Sequence, residues 1–257
     1  MLRPRIIPCL LIHNKGLVKT TYFKNPKYVG DPINAVKIFN EKNADELMVL
    51  DIDASRNNLE PNYEMIKKLA AECQMPLCYG GGIKNRDQAM KIIDLGVEKI
   101  SLSSILYKNL SLISEIASSI GSQSVVATID LLRKNSIFKT TYQCRTRNML
   151  DLEDVDAFNF IKLCEDEGVG EIVINSIDRD GEMKGYDINL ADKINNMINI
   201  PLTILGGAGS HEDMKELIAK CGIIGSAAGS LFVFKGKYRA VLINYPSNEK
   251  KQVICSL

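Results

Sequence analysis

The chain is written twice. Ile6-Ile7-Pro8-Cys9-Leu10-Leu11 recurs in outline as Val125-Val126-Ala127-Thr128-Ile129-Asp130, and Leu47-Met48-Val49-Leu50-Asp51-Ile52-Asp53 as Glu171-Ile172-Val173-Ile174-Asn175-Ser176-Ile177-Asp178. Pro76-Leu77-Cys78-Tyr79-Gly80-Gly81-Gly82 matches Pro201-Leu202-Thr203-Ile204-Leu205-Gly206-Gly207. The spacing is roughly 120 residues, far beyond a solenoid repeat. Each half carries four apolar runs alternating with amphipathic segments. Two such halves close an eight-stranded parallel barrel, with its chemistry at the C-terminal ends of the strands.

The expected fold is therefore α/β, a single (β/α)8 TIM barrel with a twofold half-barrel repeat. Its halves span about 1–120 and 121–235, and 257 residues suit one such domain. Strands are expected at 6–12, 47–52, 76–79, 99–103, 125–130, 171–175, 201–205 and 223–228. Their Ile, Val and Leu content fits parallel strands covered on both faces. Helical patterns include Ile33–Glu41, Asn62–Cys73, Arg86–Leu95, Val155–Glu167 and His211–Ala219, with caps at Asp31 before Pro32 and at Ser210 before Glu212 and Asp213. The segment from Ile12 to Gly30 reads as a long βα loop suited to a lid. Residues 132–148 read as a hairpin-like insertion in which Phe138 to Tyr142 alternate imperfectly. After the last strand, Gly236 and Pro246 leave little room for a full helix, so 236–257 is expected to replace it and 247–257 to fray.

Composition excludes several function classes. The 32 basic and 31 acidic residues leave a net charge of +1, which gives no field for nucleic acid or membrane. No apolar run is long enough to span a bilayer and no cleavable signal opens the chain. The seven cysteines are odd in number and lack CxxC spacing, so reduced thiols and a cytoplasmic location are expected. Only His13 and His211 are present, which argues against a multi-histidine zinc site. No cofactor or metal is expected.

Three constellations could carry chemistry. The first is a pair of glycine runs, Gly80-Gly81-Gly82 and Gly206-Gly207-Ala208-Gly209, each between a strand and a helix. Tight turning alone would explain one of them. Each, however, is followed one strand later by small residues, Ser101-Leu102-Ser103-Ser104 and Ala227-Ala228-Gly229-Ser230. Backbone N–H groups of adjacent loops can cradle phosphate, so two opposed sites would clamp a ligand phosphorylated at both ends. The second constellation is acidic: Asp130 ends strand five, while Asp51, Asp53, Asp178 and Asp180 end strands two and six. One such acid could be a cap or a rim ion pair; five converging acids point to a polar ligand site. The third lies at the other barrel end, where Arg5 precedes strand one, Glu46 precedes strand two, Lys99 opens strand four and Glu171 opens strand six, charges of alternating sign. On residues alone it reads as a stabilising ion-pair ring.

The motifs Arg5-Ile6-Ile7-Pro8-Cys9-Leu10, Gly30-Asp31-Pro32, Asp45-Glu46-Leu47, Gly80-Gly81-Gly82-Ile83, Gly121-Ser122-Gln123-Ser124 and Ser176-Ile177-Asp178-Arg179-Asp180-Gly181 resemble the HisF family, from the start to about Phe234. That family is the cyclase subunit of imidazole glycerol phosphate synthase, a lyase. The resemblance implies a barrel docked on a HisH-like glutaminase, with ammonia passing through it to a bisphosphorylated substrate. It turns Arg5, Glu46, Lys99 and Glu171 into an ammonia gate. Lys19 matches a lysine of the family's mobile loop and Asp130 one of two catalytic aspartates. Lys19, Asp130 and Asp180 are thus the expected catalytic residues. Asp51, Gly82, Ser103, Ser104, Gly207, Gly229 and Ser230 are the expected phosphate and substrate contacts.

The departures are specific. The other catalytic aspartate falls at Leu11, the internal partner of Asp130, and an aliphatic side chain transfers no proton. The family's phosphate-site asparagine falls at Ser103 and its serine before the second glycine pair at Leu205. The last helix gives way to Lys237–Pro246. With Leu10-Leu11, Phe23-Lys24-Asn25-Pro26, Tyr28-Val29-Gly30-Asp31-Pro32 and Arg239-Ala240-Val241-Leu242-Ile243-Asn244-Tyr245-Pro246, the chain resembles a HisF-like subgroup, the glycosyl amidation-associated WbuZ proteins. That resemblance implies ammonia delivery beside a glutaminase and an N-acetyl sugar amidotransferase, for a surface-polysaccharide sugar. An authentic cyclase of histidine biosynthesis and a non-catalytic activator of the glutaminase are the alternatives.

Overall fold

The computed structural model describes residues 3–135, 140–146 and 151–256. Eight parallel strands close a barrel: β1 (Arg5–His13), β4 (Leu47–Asp51), β5 (Leu77–Gly80), β6 (Lys99–Leu102), β7 (Val125–Asn135), β10 (Glu171–Ser176), β11 (Leu202–Leu205) and β12 (Gly225–Ala228), which pairs back with β1. Between them run α1 (Pro32–Glu41), α2 (Tyr63–Glu72), α3 (Arg86–Asp94), α4 (Leu112–Ile120), α5 (Ala157–Asp166), α6 (Ile188–Asn195) and α7 (His211–Cys221). Their apolar stripes meet the outward strand faces in one large core, which includes Phe39, Ile66, Ile92, Ile113, Ile161 and Leu217. Among the described residues no helix is long and apolar enough to cross a membrane.

Side chains alternate along each strand, so every second residue points into the barrel. The inward set forms a second cluster that includes Ile7, Met48, Cys78, Val126, Val173 and Ala227, an apolar collar around the axis. Helix starts are locally encoded. Asp31 accepts from the Asn34 N–H with Pro32 in the first turn, and Ser210 with Asp213 forms a capping box on α7, a device worth about 1 kcal/mol.

The segment expected as a long loop after the first strand is a β-hairpin. β1 runs on past the barrel, Asn14 and Lys15 turn with φ of 48° and 65°, and β2 (Gly16–Thr21) returns antiparallel before β3 (Lys24–Gly30). The insertion at 132–148 contains the extension of β7 and the antiparallel β8 (Thr140–Arg145), followed by β9 (Asp151–Asp156). Phe138 lies outside the described residues.

The C-terminus departs from the expected fraying. α8 (Ser230–Val233) is four residues long, and a small ladder of β13 (Phe234–Lys235) and β14 (Ala240–Val241) follows. Then α9 (Asn248–Ile254) packs on the barrel. Tyr245 is buried beside Phe39 and Phe232, donates to Ile6 O at 2.8 Å and accepts from the Asp45 N–H at 3.1 Å. Lys251 reaches Asn43 O at 2.8 Å and Asp45 Oδ1 at 3.0 Å, and Ile254 is buried. The tail is polar on average, but one apolar residue, one cation and the Ser247 cap suffice to seat a short helix.

Candidate functional site

A cavity enclosing about 1040 Å³, part of it open to solvent, lies at the C-terminal end of the barrel strands. Both glycine loops line it, as do Asp130, Asp51, Asp180 and Lys19. All seven residues expected to contact phosphate or substrate line it as well: Asp51, Gly82, Ser103, Ser104, Gly207, Gly229 and Ser230.

The floor is made by the inward residues of neighbouring strands. On β7, Asp130 is buried and stands in register with Asn175 of β10, whose Nδ2 donates to Asp130 Oδ1 at 2.9 Å. Below it the hydroxyls of Ser101 and Thr128 are 2.7 Å apart. In the other half the equivalent register pair is Leu11 of β1 and Leu50 of β4. Asn175 was missed in reading the sequence. The signal was present, because strand alternation from Glu171 puts Asn175 inside and the repeat sets it opposite Leu50.

The glycines are required by close backbone packing. A Cβ on Gly81 would lie 2.5 Å from Asp51 O, and one on Gly207 2.2 Å from Gly185 O, with φ of +125° and +110°. Each phosphate-type loop is therefore buttressed by the loop before it. Some of the N–H groups already have partners. The Gly82 N–H meets Ser55 Oγ at 3.3 Å, and those of Gly209 and Ser210 donate to Asp213 at 2.7 and 3.0 Å.

Of the five acids, Asp51, Asp130 and Asp180 line the cavity, and Asp53 and Asp178 do not. Asp53 holds His13 Nδ1 at 2.7 Å and the Asn14 N–H at 2.8 Å, while Asp178 accepts from the Arg133 N–H at 3.2 Å. Past the strand ends the chain turns, and the acids serve whichever N–H groups the turn presents. Asp51 accepts from the N–H groups of Asp53 and Ala54. Asp180 accepts from Thr20 Oγ1 at 2.7 Å and the Phe23 N–H at 3.0 Å, which ties the β2–β3 hairpin across the cavity. On that hairpin Lys19 is buried, and its Nζ donates to Cys9 O. It occupies the space over Gly229, where a Cβ would come within 2.0 Å of Nζ. Burial lowers its pKa below the ordinary lysine value, against the opposing influence of Cys9 and Asp180.

At the opposite end the four charges form a closed cycle. Arg5 meets Glu46 at 2.5 Å and Glu171 at 2.8 Å, and Lys99 meets Glu46 and Glu171 at 2.9 Å each. Thr203 donates to Glu171 at 2.6 Å. Both glutamates are buried. Burial opposes the ionisation of Glu171, but the hydrogen bond and charge of Arg5, with the charge of Lys99, outweigh it and hold the carboxyl below the usual range. Burial likewise opposes the charged forms of Arg5 and Lys99, and the two glutamates more than reverse it. The apolar collar separates this cycle from the cavity. Within the collar, burial pushes the Cys78 thiol well above its ordinary value, so it is an inert lining group.

A family model described as "Histidine biosynthesis protein" matches residues 5–239. A Vibrio vulnificus protein provisionally named an imidazole glycerol phosphate synthase subunit of the hisF type is 53% identical over 255 residues, covering 99% of this chain and 97% of that one. A Leptospira borgpetersenii protein with a provisional name of the same kind is 53% identical over 254 residues, 99% of each chain. A Pseudomonas aeruginosa protein, also so named, is 51% identical over 257 residues, 98% of this chain and 100% of that one.

Proposed function

Because this chain belongs to the histidine biosynthesis protein family, among the HisF-type subunits of imidazole glycerol phosphate synthase, we propose that it receives ammonia from a HisH-like glutaminase and carries it through the barrel. The glutaminase docks on the N-terminal barrel face, beside Glu98 and Lys99. Ammonia enters past Arg5, Glu46, Lys99 and Glu171, crosses the apolar collar as the neutral molecule and arrives beneath Asp130. The carrying observation is the closed, buried charge cycle set under an apolar collar that ends at the cavity. A buried ion cluster is seldom more stabilising than an apolar filling of the same volume, so stability alone is a weak reason for it. A collar without charges excludes ammonium, whose desolvation is costly, and tolerates ammonia.

In the cavity, Asp130 is the acid/base group, oriented by Asn175. Lys19 and the loops at Gly82, Ser103, Ser104, Gly207, Gly229 and Ser230 hold a phosphorylated small molecule, and Asp51 and Asp180 border it. The product serves amidation of an N-acetyl sugar for surface polysaccharide in the cytoplasm, beside an N-acetyl sugar amidotransferase. Leu11 supports this outcome over the full cyclase reaction, since it removes one of two acid/base groups.

The test is to co-purify the chain with a glutaminase and compare glutamine-dependent with ammonia-dependent product formation. Lys99→Ala is expected to lower the first against the second. An unchanged ratio would mean the cycle is only structural and end the channel reading.

A further inference from the structure

The segment that replaces the last barrel helix ends beside the charge cycle, through its buried Tyr245. Strands β1 and β4 are paired from Cys9 with Met48 up to Ile12 with Asp51. Carried three residues down, the same register sets Ile6 opposite Asp45. In a parallel pair every second residue turns its backbone groups to the same neighbour. The Ile6 N–H and the Ile12 carbonyl both face β4, so Pro8 faces it too and has no N–H to give. Below Cys9 the two strands need another link.

Tyr245 supplies it. Its hydroxyl donates to Ile6 O at 2.8 Å and accepts from the Asp45 N–H at 3.1 Å, so one oxygen stands between the two backbones. The Asp45 carboxylate completes the link by accepting the Ile6 N–H at 3.1 Å. Burial, and then the Asp45 charge, raises the pKa of the phenol, which keeps it a donor. Phe39 and Phe232 fix the ring, with centroids 6.3 and 5.4 Å from its own. From α9, Lys251 ties Asp45 Oδ1 at 3.0 Å and Asn43 O at 2.8 Å. The chain neighbours of this bridge are Arg5 and Glu46, whose side chains meet at 2.5 Å in the charge cycle. A constellation of that kind keeps its geometry only when the groups behind it are held, to about 0.5 Å.

We propose that Tyr245 is a positioning residue of the ammonia entrance: its hydroxyl clamps the foot of β1 to the foot of β4, so that Arg5 and Glu46 hold the cycle closed, and α9 secures the clamp through Lys251. The consequence for ammonia transfer rests on the reading above; the clamp itself does not.

Tyr245→Phe keeps the ring and removes only the bridging oxygen. In the chain co-purified with a glutaminase, the ratio of glutamine-dependent to ammonia-dependent product formation should fall about fivefold, the weight of one neutral hydrogen bond. Lys251→Met should lower it less, because Arg3 and the Ile6 N–H still hold Asp45. A second measurement needs no partner. In urea unfolding, Tyr245→Phe should couple with Glu46→Gln in a double-mutant cycle and add simply with Glu182→Gln, a residue outside the link. Additivity with Glu46→Gln would overturn the proposal. So would an unchanged ratio in Tyr245→Phe beside a lowered one in Lys99→Ala, with the ammonia reading left standing. A ratio that neither variant moves would overturn that reading, and the role of Tyr245 at the entrance with it.

Discussion

The two half-barrels share one backbone plan and divide the chemistry. At the cavity the second half presents Asp130 with Asn175, and the first half presents Leu11 with Leu50 at the equivalent register. Four residues below each pair, the halves agree: Glu46 lies under Leu50 as Glu171 lies under Asn175. The cations that join those glutamates, Arg5 and Lys99, both come from the first half. The first half thus supplies both cations of the cycle and the apolar Leu11–Leu50 pair at the cavity floor, while the second supplies Asp130 with Asn175 there. A repeat preserves the spacing that closes the barrel and leaves the inward side chains free to diverge, because an inward position touches the ligand and the axis rather than the helices.

The largest expected effect breaks the comparison at the cavity floor. With Leu11 opposite Asp130, ammonia-dependent turnover of the bisphosphate should lie about 10²–10⁴-fold below that of a cyclase subunit carrying both acids. Leu11→Asp should recover part of this loss, provided Leu205 and Ser103 still admit the substrate. Steady-state kinetics with saturating ammonium decide the matter, and a wild-type rate equal to the reference would show that one acid is enough.

The next prediction sharpens the agreement between Glu46 and Glu171. Substitution of either by Ala leaves Arg5 and Lys99 sharing the one remaining glutamate, and about 3–5 kcal/mol of stability should be lost. Glu171→Ala should cost somewhat more, because Thr203 also loses its acceptor. Urea unfolding of the two variants measures this directly; a much cheaper Glu171→Ala would mean the halves are not equivalent at this level.

The same cycle has a pH signature. The Glu171 carboxyl is held below its ordinary value of 4.5, so its contribution is present above that pH and is lost as pH falls through the lowered folded value. Lys99 is raised above 10.5, so its contribution is full below that pH and fades as pH rises through the folded value. Between these limits the difference in melting temperature between wild type and Glu171→Gln should be flat, and it should collapse in acid. A steady slope through neutral pH would point to another titrating group in the cycle.

The barrel was legible in the sequence because burial on both strand faces leaves uninterrupted Ile, Val and Leu runs, and close loop packing leaves glycines such as Gly81 and Gly207. The inward positions within strands were also legible, since alternation fixes which residues face the axis. Beyond the strand ends that rule stops. Asp53 and Asp178 turn away to backbone N–H groups while Asp51 and Asp180 border the cavity, and no spacing distinguishes them. The segment after the first strand was legible as an insertion but not as a hairpin, because its turn uses Asn14 and Lys15 at positive φ without glycine. The tail was misread because α9 is held by a few contacts, Lys251 and Ile254 among them, that average composition hides.

Lys19 tests whether the halves communicate through the ligand or through packing alone. It comes from the hairpin of the first half and sits over Gly229 of the second, its ammonium buried with one hydrogen bond to Cys9 O. Burial lowers its pKa, so the unfolded chain holds this proton more tightly than the folded one. The cost is full below the folded pKa and fades as pH rises towards 10.5, the ordinary lysine value. Lys19→Met removes the cost and should stabilise the chain by about 1–2 kcal/mol at neutral pH, a rise of about 2–6 °C in melting temperature. The gain should shrink in alkaline buffer. The same variant should bind a phosphorylated probe at least about tenfold more weakly, the worth of one hydrogen bond to a charged group. Stabilisation with weakened binding identifies a charge held in place for a ligand. A lower melting temperature would instead make Lys19 a strut of the hairpin, and the halves would then be joined there by packing.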